Sequence, residues 1–387
     1  MSEWKKVRLG EIYDVHNGLS KGRQFFGSGY PFLTFSNVFN NWFLPQELDS
    51  LVQSSDKERQ TCSIKRGDIF ITRTSETMNE LGMSSVALKD YPNATYNGFT
   101  KRLRPLTDEV IPEYIGYYLR STKFRGKFLA FSTMTTRASL SNDDLLSMEV
   151  EIPDKSIQHR IASILSRYDD LIENYQRQIK LLEEAAQRLY KEWFVDFRFP
   201  GHETTKFVNG IPEGWEKKKV GELILKTPRT KQVLANNYQK IGKIPVIDQS
   251  KSYIAGYTDD NDCKIEVTIP YIVFGDHTRI LKYIPFSFAK GADGTQLLMS
   301  NDLKRMPQSL FYNSLIDIDL SNFSYARHFK YLKEEEILLP TMDVAIQYDN
   351  IVSIYNMSIQ NNRNQIRSLT EARDRLLPKL MNGEIEV

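Results

Sequence analysis

The sequence contains an internal repeat whose ends are preserved while the stretch between them varies. Trp4, Leu9, Gly10 and Glu11 return as Trp215, Val220, Gly221 and Glu222, a shift of 211 positions. A second pair of segments repeats without gaps at a shift of 187, with matched pairs that include Ile152/Leu339, Pro153/Pro340, Tyr168/Tyr355, Ile179/Ile366, Ala185/Ala372 and Arg188/Arg375. The shifts differ by 24, so the stretch from Trp215 to Pro340 is 24 residues shorter than the stretch from Trp4 to Pro153. This pattern predicts two similar frames that hold two different surfaces.

A length of 387 residues is too great for one ordinary hydrophobic core, and the repeat predicts two domains that are each followed by a helix. The hydrophobic content of 41% and the charged content of 26% are typical of a soluble globular protein. We predict a first domain at residues 1–153, a central helix at 154–199, a second domain at 200–340 and a distal helix at 341–387.

Both domains consist mainly of short apolar runs broken by turn residues, which is typical of strands. In the first domain these runs lie at 30–35, 68–72, 84–88 and 149–152, and in the second at 245–248, 271–274, 315–318 and 336–339. A helix is predicted near 112–121, because Pro112 suits a first helical turn and the apolar residues that follow have helical spacing. The fold class is therefore predicted to be α+β.

Two long apolar stripes predict the helices. The first runs through Ile157, Ile161, Ile164, Tyr168, Leu171, Tyr175, Ile179, Leu182, Ala186, Leu189 and Trp193. The second runs through Val344, Tyr348, Ile351, Tyr355, Ile359, Asn362, Ile366, Leu369, Arg373, Leu376 and Leu380. Steps of three and four residues are those of a coiled-coil seam, here roughly 60 Å long at 1.5 Å per residue.

Each of these helices could pack on its own domain instead, but two matched stripes in one chain favour mutual pairing. An antiparallel pair is favoured, because it relates the two copies by a two-fold-like axis and puts the domains at opposite ends.

Bulk properties exclude several classes of protein. No apolar run approaches the ~18 residues of a membrane span, and the N-terminus lacks a signal-peptide core, so we expect a cytoplasmic protein. Cys62 and Cys263 cannot form a zinc cluster and are predicted to be buried small side chains. A net charge of +2 permits DNA binding without arguing for it.

Several segments resemble a known family. They are LYKEWFVDF (189–197), IPEGWEKKKVGEL (211–223), LLPKLMNGEIEV (376–387), GDIFITRTS (67–75), RASLSNDDLLSMEVEIP (137–153), IPVIDQS (244–250), VFGDHTR (273–279), GADGTQLL (291–298) and ARHFKYLKEEEILLP (326–340). Together they resemble, over essentially the whole chain and in order, the specificity subunits of Type I restriction-modification systems.

The resemblance implies two target recognition domains that each read half of a split site in double-stranded DNA, held apart by an antiparallel helical pair. It implies two modification subunits that methylate adenine N6 with S-adenosylmethionine. It also implies restriction subunits, motor-nucleases that use ATP and Mg. This chain would itself carry no cofactor and no catalytic chemistry.

The residues agree with a non-catalytic role. The chain lacks the Asn/Asp-Pro-Pro-aromatic loop of an amino-methyltransferase, a glycine-rich cofactor turn and a Gly-Lys-Ser/Thr phosphate loop. Its five histidines, at positions 16, 159, 202, 277 and 328, show no metal-ligand spacing.

Candidate DNA-reading residues lie in polar loops that follow apolar strands, where a rigid scaffold can present them to base edges and phosphates. In the first domain these are Lys21, Arg23, Thr72, Arg73, Thr74, Ser75, Thr136 and Arg137. In the second domain they are His277, Thr278, Arg279, Lys290, Gln296 and Arg327. Structural roles are the alternative: Arg73 can pair with an acid of its own domain, and Asp276 with Arg279 can close a turn. A catalytic role for Asp276 and His277 lacks a neighbouring nucleophile.

Candidate docking residues lie where the helices end. Trp193, Phe194 and Phe197 crowd the junction between the central helix and the second domain, and Leu380 lies near the end of the distal helix. They can cement helix to domain, and we hypothesise that they also help to seat the modification subunits.

Two other classes of function stay open from the sequence. One is a coiled-coil scaffold that binds proteins and no DNA, which salt-dependent DNA binding would disfavour. The other is an enzyme with a hidden methylation site, which cofactor binding by the isolated chain would support. In the specificity reading the helices act as a ruler that sets the unread spacer between two different half-sites.

Overall fold

The chain forms two compact units, each built from a strand-rich part and segments of both long helices. The computed structural model describes residues 4–75, 80–131, 133–134, 138–139, 141–227, 230–291, 293–322 and 327–387. The first unit is Met1–Glu173 with Ile366–Val387, and the second is Asn174–Gln365. The division therefore falls within both long helices.

The first unit is strand-rich before its long helix begins. Its strands are β1 Lys5–Arg8, β2 Tyr13–Asn17, β3 Phe26–Leu33, β4 Leu51–Val52, β5 Ile69–Thr72, β6 Thr74–Ser75, β7 Ser84–Val86, β8 Thr95–Tyr96, β9 Thr100–Pro105, β10 Thr133–Met134, β11 Ala138–Ser139 and β12 Glu149–Ile152. Its helices are α1 Leu9–Ile12, α2 Phe35–Asn40, α3 Asp56–Thr61, α4 Pro112–Arg120, α5 Thr122–Phe131, α6 Asn142–Ser147 and the start of α7 Lys155–Tyr190.

The second unit repeats this style. Its strands are β13 Phe207–Val208, β14 Ile211–Pro212, β15 Glu216–Lys219, β16 Ile244–Ile247, β17 Gly256–Thr258, β18 Lys264–Ile265, β19 Tyr271–Gly275, β20 Leu281–Ile284, β21 Phe288–Lys290, β22 Thr295–Leu298 and β23 Glu336–Leu339. Its helices are α8 Val220–Leu223, α9 Gln308–Ile316, α10 His328–Leu332 and the part of α11 Met342–Met381 that ends at Gln365. A π-helical turn, Lys191–Val195, ends α7.

The repeat seen in the sequence is also a repeat of strand register. In the first unit β1 pairs antiparallel with β12, Lys5 opposite Ile152 and Arg8 opposite Glu149. In the second unit β15 pairs with β23, Glu216 opposite Leu339 and Lys219 opposite Glu336. The shifts of 211 and 187 convert the first set of pairs into the second. One-turn helices, α1 and α8, then follow at matching positions.

The central sheets also correspond. The first unit has a sheet in the order β2-β9-β5-β7, and the second has one in the order β20-β19-β22. In both, the apolar strand that was predicted from the sequence is flanked by two antiparallel neighbours. The strand β5 is buried along its whole length, which fits its run of apolar residues.

The long helices run antiparallel to each other within each unit. In the first unit Arg373 of α11 pairs with Asp169 of α7 at 2.5 Å. In the second unit Arg363 pairs with Glu183 at 2.9 Å, and the Tyr348 hydroxyl donates to the Ala186 carbonyl at 3.3 Å. As the position in α7 rises, the partner in α11 falls, so antiparallel pairing is confirmed in each unit.

Two sequence predictions about elements were wrong. Residues 315–318 do not form a strand, because Leu315 lies in the last turn of α9 and packs into the second core; an apolar run of four residues does not separate strand from helix by its periodicity. Leu171 is 45% exposed and lies off the helical seam, whereas its neighbour Ile172 is half-buried. The seam therefore passes through Ile172.

The fold class predicted from the sequence, α+β with two strand-rich parts and a long antiparallel helical pair, is confirmed. Each unit has its own hydrophobic core, to which both helices contribute. Cys62 and Cys263 are buried and free, as predicted. Judged on length and hydropathy, none of the described helices qualifies as a membrane-spanning segment.

Candidate nucleic-acid interface

Three loops of the second unit meet around the side chain of Gln249, which follows β16. Its amide nitrogen donates to the Asp293 carbonyl at 2.9 Å, and its amide oxygen accepts from the His277 backbone N–H at 3.0 Å. The Thr278 hydroxyl donates to the Gln249 carbonyl at 2.7 Å. A Cβ at Gly294 would lie 2.6 Å from the Gln249 side chain, so the close approach of the loops requires glycine there. We call residues 249, 276–279 and 293–296 the second loop cluster.

Asp276 supports this cluster from beneath, and its neighbours provide the exposed groups. Its carbonyl accepts from the His328 N–H at 2.9 Å, and its carboxylate accepts from the Phe329 N–H at 2.8 Å, which holds the start of α10. The turn itself is closed by backbone bonds between Gly275, Arg279 and Ile280. The carboxylate of Asp276 therefore stabilises the start of α10.

The predicted DNA-reading residues of the second unit differ in solvent exposure. His277, Thr278, Arg279 and Arg327 are exposed, whereas Lys290 and Gln296 are half-buried in strands. Arg279 adopts a left-handed φ of +61°. A non-glycine residue in this conformation is uncommon, and such strain is often found where a side chain is aimed for function.

Lys282 is a buried cation that braces the loop after β16. Its ammonium donates to the carbonyls of Asp248 and Ser252 at 2.7 and 2.5 Å, and burial lowers its pKa to about 8. Because a buried lysine is costly unless its donors are satisfied, these bonds fix the loop that carries Gln249.

In the first unit, Arg73 lies where β2, β9 and β5 meet at one edge of the sheet. Its backbone N–H donates to the Phe99 carbonyl at 3.0 Å, and its guanidinium donates to the Asn17 side chain at 3.3 Å. The Asn97 side chain accepts from the Phe99 N–H at 2.6 Å, which tightens the turn before β9. We call residues 17, 73 and 97–99 the first loop cluster.

Phe99 is 57% exposed although it lies among polar groups. Its backbone is bonded on both sides, so the turn presents the ring from a fixed scaffold. An apolar side chain held rigidly in a polar surface is suited to contact with a thymine methyl group or with a base step.

Other predicted readers of the first unit have structural roles. Thr72 is fully buried, and its hydroxyl accepts from the Met83 N–H at 2.9 Å and donates to the Glu80 carbonyl. The expectation that Thr72 faces DNA is corrected accordingly: it shapes the loop. Lys21 pairs with Glu58 at 2.8 Å and donates to the Gln53 carbonyl.

The other predicted DNA-reading residues of this unit lie in a short turn, in a strand and outside the described residues. Arg23 is exposed at the start of a short 3-10 turn, Arg23–Phe25. Thr74 and Ser75 form β6, which pairs with β11. Thr136 and Arg137 lie outside the described residues.

Sequence reasoning missed four residues of the clusters: Asn17, Asn97, Phe99 and Gln249. An Asn-Gly pair, Asn97-Gly98, directly before a strand is a turn signal that points to the first cluster. Gln249 stands in a segment that resembles the family, but only the structure brings it beside His277.

The predicted docking residues are mostly inaccessible. Trp193, Phe194 and Leu380 are buried in the cores of their units. Their burial confirms the packing role between helix and domain, and their part in seating the modification subunits stays a hypothesis. Phe197 is half-buried, and its ring lies 5.6 Å from that of Phe207.

Exposed apolar side chains lie next to this junction in the second unit. Val195, Phe207 and Val208 are each about half exposed. The hairpin β13–β14 carries Phe207 and Val208 opposite Pro212 and Ile211. Exposed apolar groups gathered at one place often mark a protein interface. Within the described ranges, no group of His, Cys, Asp and Glu side chains could hold a metal ion.

Comparisons with known proteins agree with the architecture. The profile of a family described as the Type I restriction modification DNA specificity domain matches residues 1–184. The specificity subunit of the MjaIX Type I restriction enzyme of Methanocaldococcus jannaschii is 26% identical over 99% of this chain and 93% of its own length. The specificity subunit of the HindI enzyme of Haemophilus influenzae is 27% identical over 100% of both chains.

A solved structure gives the same fold. The crystal structure of the Type I restriction-modification S subunit from M. genitalium superposes with a TM-score of 0.58 at 16% identity, over 97% of this chain and 96% of that one. At this identity the likeness concerns the fold alone. With the profile match over residues 1–184 and the two full-length relatives, it shows that the chain is similar along its whole length to the specificity subunits of Type I restriction-modification systems.

Proposed function

We propose that this chain reads a bipartite DNA site for a Type I restriction-modification complex, with each loop cluster reading one half-site. The observation that carries the proposal is the presence of two loop clusters at corresponding edges of corresponding sheets, with different side chains in each. Corresponding sheets that carry different loop side chains suit the recognition of two half-sites of different sequence. The recognition domains are taken as residues 1–153 and 200–340.

The side chains of the clusters suit base reading. Arginine recognises guanine, and asparagine or glutamine recognises adenine, through paired hydrogen bonds in the major groove. Arg73, Asn17 and Asn97 offer these groups in the first cluster, and Arg279, Thr278 and His277 offer groups in the second. Lysines and arginines around the clusters would hold phosphates and position the protein.

The helical pair would set the unread spacer between the half-sites. Antiparallel pairing within each unit, through Asp169–Arg373 and Glu183–Arg363, supports a ruler made of both helices. DNA repeats every ~34–36 Å, so a rigid helical pair of roughly 60 Å can address two sites about one turn apart.

The chain itself would recognise the DNA sequence and would not catalyse a reaction. Two modification subunits would methylate adenine N6 with S-adenosylmethionine, and restriction subunits would use ATP and Mg. The apolar surface of Val195, Phe207 and Val208 would help to seat a modification subunit, with the buried residues Trp193 and Phe194 holding that surface in place.

The test is single-molecule mapping of N6-methyladenine in host DNA with this gene intact and deleted. Loss of one split motif on deletion is the expected result, and it would reveal both half-sites at once. Unchanged methylation in a host with an active partner methyltransferase would overturn the proposal and favour a scaffold role.

A further inference from the structure

The first unit contains a cavity of about 900 Å³ beside Trp4. Its apolar walls include Trp4, Ile157, Ile161, Gly383 and Ile385, which come from the start of the chain, from α7 and from the segment after α11. Polar and charged residues also line it, namely Lys5, Lys6, Glu151, Asn382 and Glu386. The volume is within the range of sites that enclose a ligand or several side chains.

The corresponding place in the second unit is packed with aromatic rings. Trp215 is 5% exposed, and the rings of Phe194, Phe197 and Phe199 lie 5.5, 5.9 and 5.0 Å from it. Tyr348 adds a further ring 5.1 Å from Phe194. This aromatic box closes the second unit at the end of α7.

The repeat relates the two places residue by residue. Trp4 corresponds to Trp215 by the shift of 211, and Ile161 corresponds to Tyr348 by the shift of 187. Past the helix ends the correspondence changes to a shift of 186: two residues after the last helical residue, Val195 or Met381, the backbone adopts a left-handed φ, at Phe197 (+55°) and at Gly383 (+69°).

Two residues beyond these left-handed positions stand Phe199 and Ile385. Three rings of the box are therefore replaced by Ile161, Gly383 and Ile385. Among the described residues, no aromatic ring packs on Trp4, and the Lys123 ammonium lies over its ring at 5.9 Å. The cavity is the space that those three rings fill in the other unit.

We propose that this cavity receives a segment of a modification subunit that carries two aromatic side chains two positions apart. The second unit shows what fits: Phe197 and Phe199 reach Trp215, while Arg198 between them stays exposed and pairs with Asp196 at 3.1 Å. A second copy of this chain does not supply the segment, because its own Phe197 and Phe199 are packed on Trp215. The identity of the partner rests on the proposed function.

The test is calorimetric titration of the modification subunit into the full-length chain. Ile385→Asp places a charge on the wall of the cavity, and it should weaken binding at least tenfold. Leu106→Asp is the matched control, since Leu106 is an exposed apolar residue of the same unit outside the cavity lining. It should bind within twofold of the wild type.

A second variant distinguishes loss of binding from loss of folding. Ile161→Tyr puts back the ring that the second unit has at this place, and it should also weaken binding by occupying the cavity. Wild-type affinity of both variants would overturn the inference, as would an equal loss for Leu106→Asp. Failure of the proposed function would appear elsewhere, as methylation that is unchanged when the gene is deleted.

Discussion

At the scale of single residues, the two loop clusters predict separable effects on the recognised sequence. Arg73→Ala should relax one base position in one half-site, and Arg279→Ala one position in the other, each by about 1–3 kcal/mol of discrimination. Methylome mapping of each variant is the measurement. Arg160→Ala, which removes an exposed arginine of α7 outside the clusters, is the control. Relaxation of both half-sites by either loop variant would contradict independent reading.

The pairing of Lys21 with Glu58 predicts a stability effect that depends on pH. The Lys21 ammonium, followed by the Ser55 N–H, lowers the pKa of Glu58 to about 2. Since the pKa is lower in the folded state, the stabilisation is complete above the ordinary value of 4.5 and is lost as the pH falls toward 2. Glu58→Gln should therefore reduce the free energy of unfolding more at pH 7 than at pH 3.

Urea unfolding of the wild type and of Glu58→Gln at both pH values measures this difference. Glu47→Gln is a suitable control, because Glu47 is exposed and has no ion-pair partner among the described residues. An equal destabilisation by Glu58→Gln at pH 7 and pH 3 would show that the ion pair does not stabilise the fold.

The loops could be predicted from the sequence, but the orientation of single side chains could not. Polar residues after apolar strands located Arg73 and Arg279 correctly in loops. Thr72 ends β5 with its side chain buried, because both faces of this strand are covered and its hydroxyl bonds to neighbouring backbone groups. Gln249 meets His277 across 28 positions of sequence, and no local pattern predicts such a contact.

At the scale of elements, the helical seam contains an ion pair whose loss should be costly. Arg373 is 8% exposed, pairs with Asp169 and Asp374, and stacks over Trp42 at 4.7 Å. Arg373→Met should destabilise the first unit by about 3 kcal/mol, because it leaves a partly buried carboxylate unpaired. Urea unfolding measures the loss.

Matched variants separate the ion pair from helix propensity. Arg375→Met changes an exposed arginine two positions away on the same helix and should cost less than about 0.5 kcal/mol. Adding Asp169→Asn to Arg373→Met should recover part of the stability, because the unpaired charge is then gone while the side chain can still accept from the Tyr117 hydroxyl. A double variant no more stable than Arg373→Met alone would refute this account.

The long helices were predictable because their apolar spacing extends over ten turns, whereas details of the seam were not. Leu171 and Ile172 are adjacent and both apolar, and only packing decides that Ile172 lies inward. The same ambiguity misplaced residues 315–318, where an apolar run ends a helix. Long periodic patterns determine elements more reliably than short runs do.

At the scale of the whole molecule, the two copies of the repeat share their supporting strands and differ in the surfaces that these strands support. The matching registers of β1–β12 and β15–β23 show that the supporting strands are conserved between the copies. The loop clusters, the aromatic box and the cavity beside Trp4 differ. On the proposed function, sequence divergence inside a constant frame would allow one half-site to change without the other.

The ruler role of the helices predicts a change of spacer without a change of half-sites. Asn362 of α11 donates to Gln178 of α7 at 3.2 Å, so Gln176 and Asn364 lie at matching levels of the antiparallel pair. Inserting seven residues after each of them keeps the seam in phase, because seven residues complete two turns of a coiled coil. The insertion adds about 10 Å, or roughly three base pairs.

Methylome mapping should then show the same two half-sites separated by a spacer about three base pairs longer. An insertion after Gln176 alone is the control, since it shifts one helix against the other and should lower the thermal stability of the chain. In the ruler model the helices set the spacer length, and the loop clusters set the recognised bases. Altered half-sites in the paired-insertion variant would therefore refute the model. An unchanged spacer with intact methylation would refute it equally, because the distance would then be set outside the helices.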